Sequence, residues 1–169
     1  MIELRELKVE DAKRLLELIK DKKVLFGLGN PHVTFETLTL EKEIAFVKIM
    51  CEDIKNKKDL VFEIVVDGEI IGVVGTKGID YKKSEVEFGY WIGKDYWGKG
   101  YVTEAVKLFV ERFFEEFDIN RLYAIAYSNN PASSKVLEKN GFTKYDEKEA
   151  THLITKEKVI DFYYELKRS

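Results

Sequence analysis

The chain has 169 residues, 45% of them apolar and 35% charged, with a formal net charge of −3. That length fits one domain, 1–169, with a continuous core, and the balance of apolar and charged residues excludes a disordered chain. The net negative charge argues against non-specific nucleic-acid binding, no apolar run approaches the roughly 20 residues of a membrane span, and MIELRELKVED lacks the apolar centre of a secretory signal.

IELREL (2–7) alternates apolar and charged residues, the mark of a half-buried strand. Asp11 opens a helical pattern with Ala12, Leu15, Leu16 and Ile19 on one face. FGLGNPHVTFET (26–37) carries Gly, Asn and Pro and reads as loop. Thr39 is the expected N-cap of a second helix with Ile44, Val47, Ile49 and Ile54 among its apolar positions. Within it, the lone Cys51 reads as a small buried apolar residue. LVFEIVV and EIIGVVGTKGI flank Asp67-Gly68, a strong hairpin signal, and EVEFGYWIG supplies a third strand. From Val102, apolar residues at 102, 105, 106, 109, 110, 113, 114 and 117 trace a helical stripe. RLYAIAY (121–127) is a strand, and NPASSKVLEKNG a short helix with Asn130 as N-cap, Pro131 at its first position and Gly141 as terminator. Two strands, around FTKYDEKEATHL and EKVIDFYYELK, close the chain. The order βααβββαβαββ predicts an α+β fold, a mixed, mostly antiparallel sheet of about seven strands flanked by about four helices. Its strand–helix–strand unit implies one parallel pair.

The chemistry centres on DYWGKGYVTEA (95–105). A helix N-terminus offers unpaired backbone N–H groups and the positive end of a dipole, and glycines let a ligand approach the main chain. Gly98 and Gly100 therefore read as a turn or as an anion seat, with Lys94 and Lys99 to add charge. The dinucleotide pattern GxGxxG fails at Thr103, and no GK[ST] follows, which excludes Rossmann and P-loop readings. One cysteine and two histidines, His32 and His152, are too few for a zinc-type cluster, so no metal is expected.

Taken together, YWGKGYVTEA, the preceding EFGYWI and the following NNPASSKVLEKNGF resemble the GCN5-related N-acetyltransferase (GNAT) superfamily. They look most like its branch that acetylates ribosomal-protein N-termini. The resemblance implies an enzyme using acetyl-CoA, with the pyrophosphate held by the amides of Gly98, Lys99, Gly100, Tyr101 and Val102. Asp95 stands where the family has Arg or Gln, which removes a side-chain contact and leaves the amides. The main chain of Trp91, Ile92 and Gly93 would lie beside the pantetheine arm, where the family's parallel strands splay. Asn130 would bond that arm, and Ser133 would lie near the sulfur. The family's tyrosine acid is replaced by Leu137, a gap the ribosomal-protein branch shares, and Ser133 would take its task.

Two residues compete for the base, with water alone as the third option: Glu87, which matches a family glutamate, and His152, which stands where the branch carries a glutamate. Residues 24–37 and the last loop would shape the acceptor groove, with Phe26, His32, Phe35, Trp91 and Tyr145 as lining candidates, and 145–158 a solvated hairpin.

The expected acceptor is a primary amine. An α-amine, with pKa about 7.7–8.0, is roughly a tenth neutral at pH 7, whereas a lysine is neutral about four parts in ten thousand. A site without a strong base therefore suits a protein N-terminus. A small amine (polyamine, amino acid or aminoglycoside) and a CoA-binding module without turnover are the alternatives. The expected location is the cytoplasm and the expected state a monomer or homodimer, with no nucleic-acid or membrane partner. The absence of glutamine and the abundance of Lys and Glu fit a heat-loving source.

Overall fold

The computed structural model describes residues 1–28 and 33–169, so His32 lies outside the described residues. In chain order the elements are β1 (Ile2–Glu6), α1 (Ala12–Ile19), α2 (Lys22–Leu28), α3 (Leu40–Lys55), β2 (Val61–Val66), β3 (Glu69–Thr76) and β4 (Glu85–Ile92), then α4 (Tyr101–Glu116), β5 (Arg121–Tyr127), α5 (Pro131–Lys139), β6 (Thr143–Thr151) and β7 (Lys158–Lys167). The seven strands form one sheet in the order β1-β2-β3-β4-β5-β7-β6, antiparallel throughout except for β4 and β5. The α+β architecture is the expected one.

Local signals act where the sequence places them. Thr39 caps α3, its hydroxyl accepting from the Lys42 N–H. Asp67 and Gly68 both turn with positive φ, 48° and 85°, which matches the twist of the β2–β3 hairpin. The α4 stripe buries Ala105, Val106, Phe109 and Phe113. Phe109 stacks on Phe88 of β4 at 5.6 Å and on Phe113 at 6.1 Å, which fastens α4 to the sheet centre. α4 and α5 cover one face, while α1 and α3 cover the β2–β3 part of the other through Leu15, Leu18, Val47, Val61 and Val65.

Three expectations are corrected. The stretch read as loop from Phe26 begins inside α2, so α-helices number five among the described residues. Asp21 starts that helix, its Oδ1 accepting from the N–H of Lys23 and Val24 at 2.8 and 3.2 Å. Ile49 is 60% exposed rather than packed. Cys51 is only half-buried; its thiol donates to the Leu7 carbonyl, and burial with nearby Glu6 and Glu63 pushes its pKa up, away from nucleophilic use.

Candidate active site

The parallel pair is short. β4 and β5 register only at Glu85–Arg121, Val86–Leu122 and Glu87–Tyr123. Beyond Glu87, β4 stays zipped to β3 and β5 to β7, and a V-shaped gap opens between them. Antiparallel ladders aim alternate residues' main-chain groups at one neighbour. The Lys77 N–H donates to the Glu87 carbonyl and the Gly93 N–H to the Ile71 carbonyl, so the odd members of β4 bond toward β3. The main chain of Tyr90 and Ile92 therefore faces the gap, and that of Trp91 does not. Gly93 uses both its groups, since its carbonyl accepts from the Tyr96 N–H at 3.0 Å. The Ile92 carbonyl is covered by the indole N–H of Trp97 at 3.1 Å.

At the mouth of the gap a short 3-10 turn, Lys94–Tyr96, leads through Trp97 to the glycines. Gly98 and Gly100 have φ of 75° and 78°, a left-handed conformation that only glycine adopts cheaply. A Cβ added at either would meet nothing within 4 Å, so open space lies over both. Gly100 is the N-cap of α4 and no side chain among the described residues caps the helix, which leaves its first-turn N–H groups for a ligand. Lys94, Asp95 and Lys99 are all exposed there.

On the α4–α5 side of the gap stands Ser133. Its Oγ lies 2.9 Å from the Tyr90 hydroxyl, which also donates to the Ser133 carbonyl at 3.2 Å. Burial pushes the Tyr90 phenol up to about 12, against the lowering effect of the Ser133 bond, so Tyr90 keeps its proton at neutral pH. Asn130 occupies the N-cap of α5, yet its side chain makes no capping bond. Leu137 is fully buried in the main core. Tyr90 is a residue the sequence reading missed: a phenol reaches Ser133 from strand β4 instead of from the helix position held by Leu137.

The opposite side is rich in carboxylates and aromatic rings. Glu87 pairs with Lys77 at 3.1 Å. Arg121 bridges Glu85 and, at 2.7 Å, Glu165. The Arg121 guanidinium also lies over the rings of Tyr123 and Tyr145 at 4.8 and 4.9 Å. His152 is only 2% exposed. Its ring stacks on Phe26 at 4.7 Å and meets Tyr127 edge-on at 5.4 Å. Its Nδ1 accepts from the N–H groups of Ile154 and Thr155 at 3.3 and 3.2 Å, which puts the imidazole's proton on Nε2. Nε2 is buried without a partner among the described residues, and so is Oδ1 of Asp161. Asp161 stands opposite Tyr127 in the β5–β7 register and so shares its face. Burial raises the Asp161 carboxyl, and His152 draws it partly back; burial, Asp161 and Glu87 together raise the Tyr127 phenol.

The other predicted lining residues scatter. Phe35 is exposed, with the Lys20 ammonium over its ring at 5.1 Å; Trp91 is half-buried against α1 and α2; Tyr145 is exposed beside Tyr163. The structure thus gathers Glu87, His152, Phe26, Tyr127 and Asp161 on one side of the sheet, and Ser133 with Tyr90 on the other. A signal for Asp161 was present: a carboxylate inside the apolar run KVIDFYY.

An opened parallel pair, with an uncapped helix start at its mouth and hydroxyls beside it, is the architecture of an acyltransferase. Residues 2–143 match the family described as "Acetyltransferase (GNAT) domain", and the chain belongs to that family. It is an N-acetyltransferase with acetyl-CoA as its donor. It is 32% identical over 149 residues to the "Putative ribosomal N-acetyltransferase YdaF" of Bacillus subtilis (strain 168), covering 83% of this chain and 77% of that protein. It is 26% identical over 143 residues to the spermidine N(1)-acetyltransferase of Escherichia coli (strain K12), covering 84% of this chain and 73% of that one. Among solved structures, RimL, a ribosomal L7/L12 alpha-N-protein acetyltransferase in complex with coenzyme A, superposes with a TM-score of 0.87 at 21% identity, over 98% of this chain and 93% of that one.

Proposed function

We propose that the acceptor is the α-amine of a protein N-terminus, with the reaction a direct attack in a ternary complex. The observation that carries this reading is the gap itself. It has hydroxyls on one side of the sheet and a single carboxylate without an ion pair, Asp161, on the other among the described residues. The amides of Gly98, Lys99, Gly100, Tyr101 and Val102 hold the pyrophosphate. The pantetheine arm runs along Ile92, between Trp91 and Gly93, and meets the uncommitted Asn130 side chain; Trp97 releases the Ile92 carbonyl as the arm arrives.

In the chemical step the neutral amine nitrogen bonds to the thioester carbonyl carbon, and the carbon–sulfur bond breaks. Ser133 donates its hydroxyl hydrogen bond to the departing sulfur, held in place by Tyr90, and the thiolate takes up a proton from solvent, which balances the one the amine gives up. The amine loses its proton through water toward Glu87. His152 is not the base in this reading: taking a proton at Nε2 would need the other tautomer, whose Nδ1–H would face the two N–H donors of Ile154 and Thr155. Of the two candidates for the base, this reading takes Glu87. An α-amine, already partly neutral, suits so modest a base. Acetyl-CoA and new protein N-termini meet in the cytoplasm, and that is the location this reading implies.

A small polyamine is the second reading, favoured by the relative at 26% and by the acidic side of the gap. Lys77 and Arg121, however, already hold Glu87, Glu85 and Glu165 in ion pairs, which leaves Asp161 as the carboxylate without one on this side among the described residues. Thiol release from acetyl-CoA, measured with unblocked peptides, N-terminally blocked lysine peptides and spermidine, separates the two. Turnover with spermidine alone would sink the first.

A further inference from the structure

The Nε2 of buried His152 and the buried Oδ1 of half-buried Asp161 find no partner within the described residues. An unmet buried donor or acceptor is destabilising, and a guest that completes it offsets that cost. Here a donor and an acceptor occur together. The Nε2–H of His152 is held in direction by the Phe26 stack, the Tyr127 edge and two backbone bonds at Nδ1. The Oδ1 of Asp161 lies beside Tyr127 on the same face. Each then wants the complementary group of one guest.

We infer that His152 and Asp161 form a two-point clamp for a peptide N-terminus, Asp161 accepting an N–H of the α-amine and His152 donating to the carbonyl of the first residue. This rests on the N-terminal acceptor proposed above and adds the groups that select it. In a peptide the α-amine nitrogen and the first carbonyl oxygen are three bonds apart, within about 4 Å. One end of the molecule therefore meets both groups, and the nitrogen lone pair stays free to attack the thioester. A polyamine carries donors only and leaves the His152 N–H orphaned, the situation in which polar pockets discriminate most strongly. A free amino acid brings a carboxylate beside the Asp161 carboxyl and is repelled. The clamp thus selects peptides and amino-acid amides over polyamines and free amino acids.

The test uses the whole chain, acetyl-CoA and two acceptors: an unblocked hexapeptide, and the same peptide with its first amide replaced by an E-alkene, which keeps the shape and removes the carbonyl. Rates are compared per neutral amine, with wild type and with His152→Phe. The expected result is a roughly tenfold or greater loss of kcat/KM for wild type on the alkene. His152→Phe should lose about as much on the normal peptide and little further on the alkene. Asp161→Asn should raise the acceptor KM and leave the Kd for acetyl-CoA unchanged. Equal wild-type rates on both acceptors would overturn the clamp, as would a His152→Phe loss that is the same on both. The wild-type comparison needs no variant to fold. Turnover of peptides without regard to the first carbonyl sinks the clamp alone; turnover of spermidine and of no peptide sinks the N-terminal reading with it.

Discussion

Removing the Tyr90 hydroxyl tests how the departing sulfur is handled. Tyr90→Phe keeps the ring in its place beside Phe88, at 6.0 Å, and opens no cavity of consequence. It takes away the donor that lies 2.9 Å from the Ser133 Oγ and 3.2 Å from its carbonyl. Since the phenol sits at about 12, it is ionised in roughly one molecule in a hundred thousand at pH 7 and keeps a proton to donate. Ser133→Ala removes the contact with the sulfur itself, a hydrogen bond to a developing charge worth about 2 kcal/mol, or roughly thirtyfold in kcat. Tyr90→Phe removes the support, a neutral bond worth about 1 kcal/mol, or roughly fivefold. Because the two act in series, the double variant should be no slower than Ser133→Ala alone. The assay is kcat by thiol release at saturating acetyl-CoA and peptide, with Kd for CoA followed by calorimetry and expected to stay put. An unchanged kcat in Tyr90→Phe, or losses that multiply in the double variant, would refute the chain from Tyr90 through Ser133 to sulfur.

Gly100→Trp, at a φ of 78° and with open space above it, should abolish measurable CoA binding while lowering stability by only about 1–2 kcal/mol; calorimetry that finds wild-type affinity removes the loop from the site. With an α-amine acceptor, kcat/KM should climb with pH, reach half its plateau near 8 and level off by about 9, whereas a lysine acceptor would still be climbing at 10. Glu63 should make the fold less stable as pH rises. Burial and the neighbouring Asp11 push its carboxyl up to about 7 from 4.5, despite the Lys8 N–H and Arg5. The folded chain therefore holds an extra proton between those values, and stability falls through that window. Glu63→Gln should flatten the curve and gain about 2 kcal/mol at pH 8 in urea melts; a wild-type curve already flat from pH 5 to 8 would contradict the burial argument.

Much of this architecture was legible because its signals are local. The α4 stripe, the Asp67-Gly68 turn and the Thr39 cap each lie within a few residues, and each forms as read. α2 escaped because Gly27 and the run Gly29-Asn30-Pro31 outweigh a helix start whose only cue is Asp21. The site was legible only where a motif is contiguous, as at Gly98 and Gly100. Tyr90 and Ser133 meet across 43 residues, and strand alternation placed Tyr90 away from Glu87 without saying what it would touch. His152 was visible as a histidine in a loop. Its burial, and the two N–H groups that set its proton, arise from the way that loop folds over Phe26, which no spacing encodes.

The central claim is transfer to a protein α-amine, and one measurement addresses it directly. Wild-type chain, acetyl-CoA and unblocked peptides that also contain lysine are incubated, and fragmentation mass spectrometry locates the acetyl group. The account predicts the acetyl on the first residue's nitrogen, with one CoA thiol released per peptide modified. Acetylation confined to lysine side chains, or thiol release with spermidine and with none of the peptides, would contradict it.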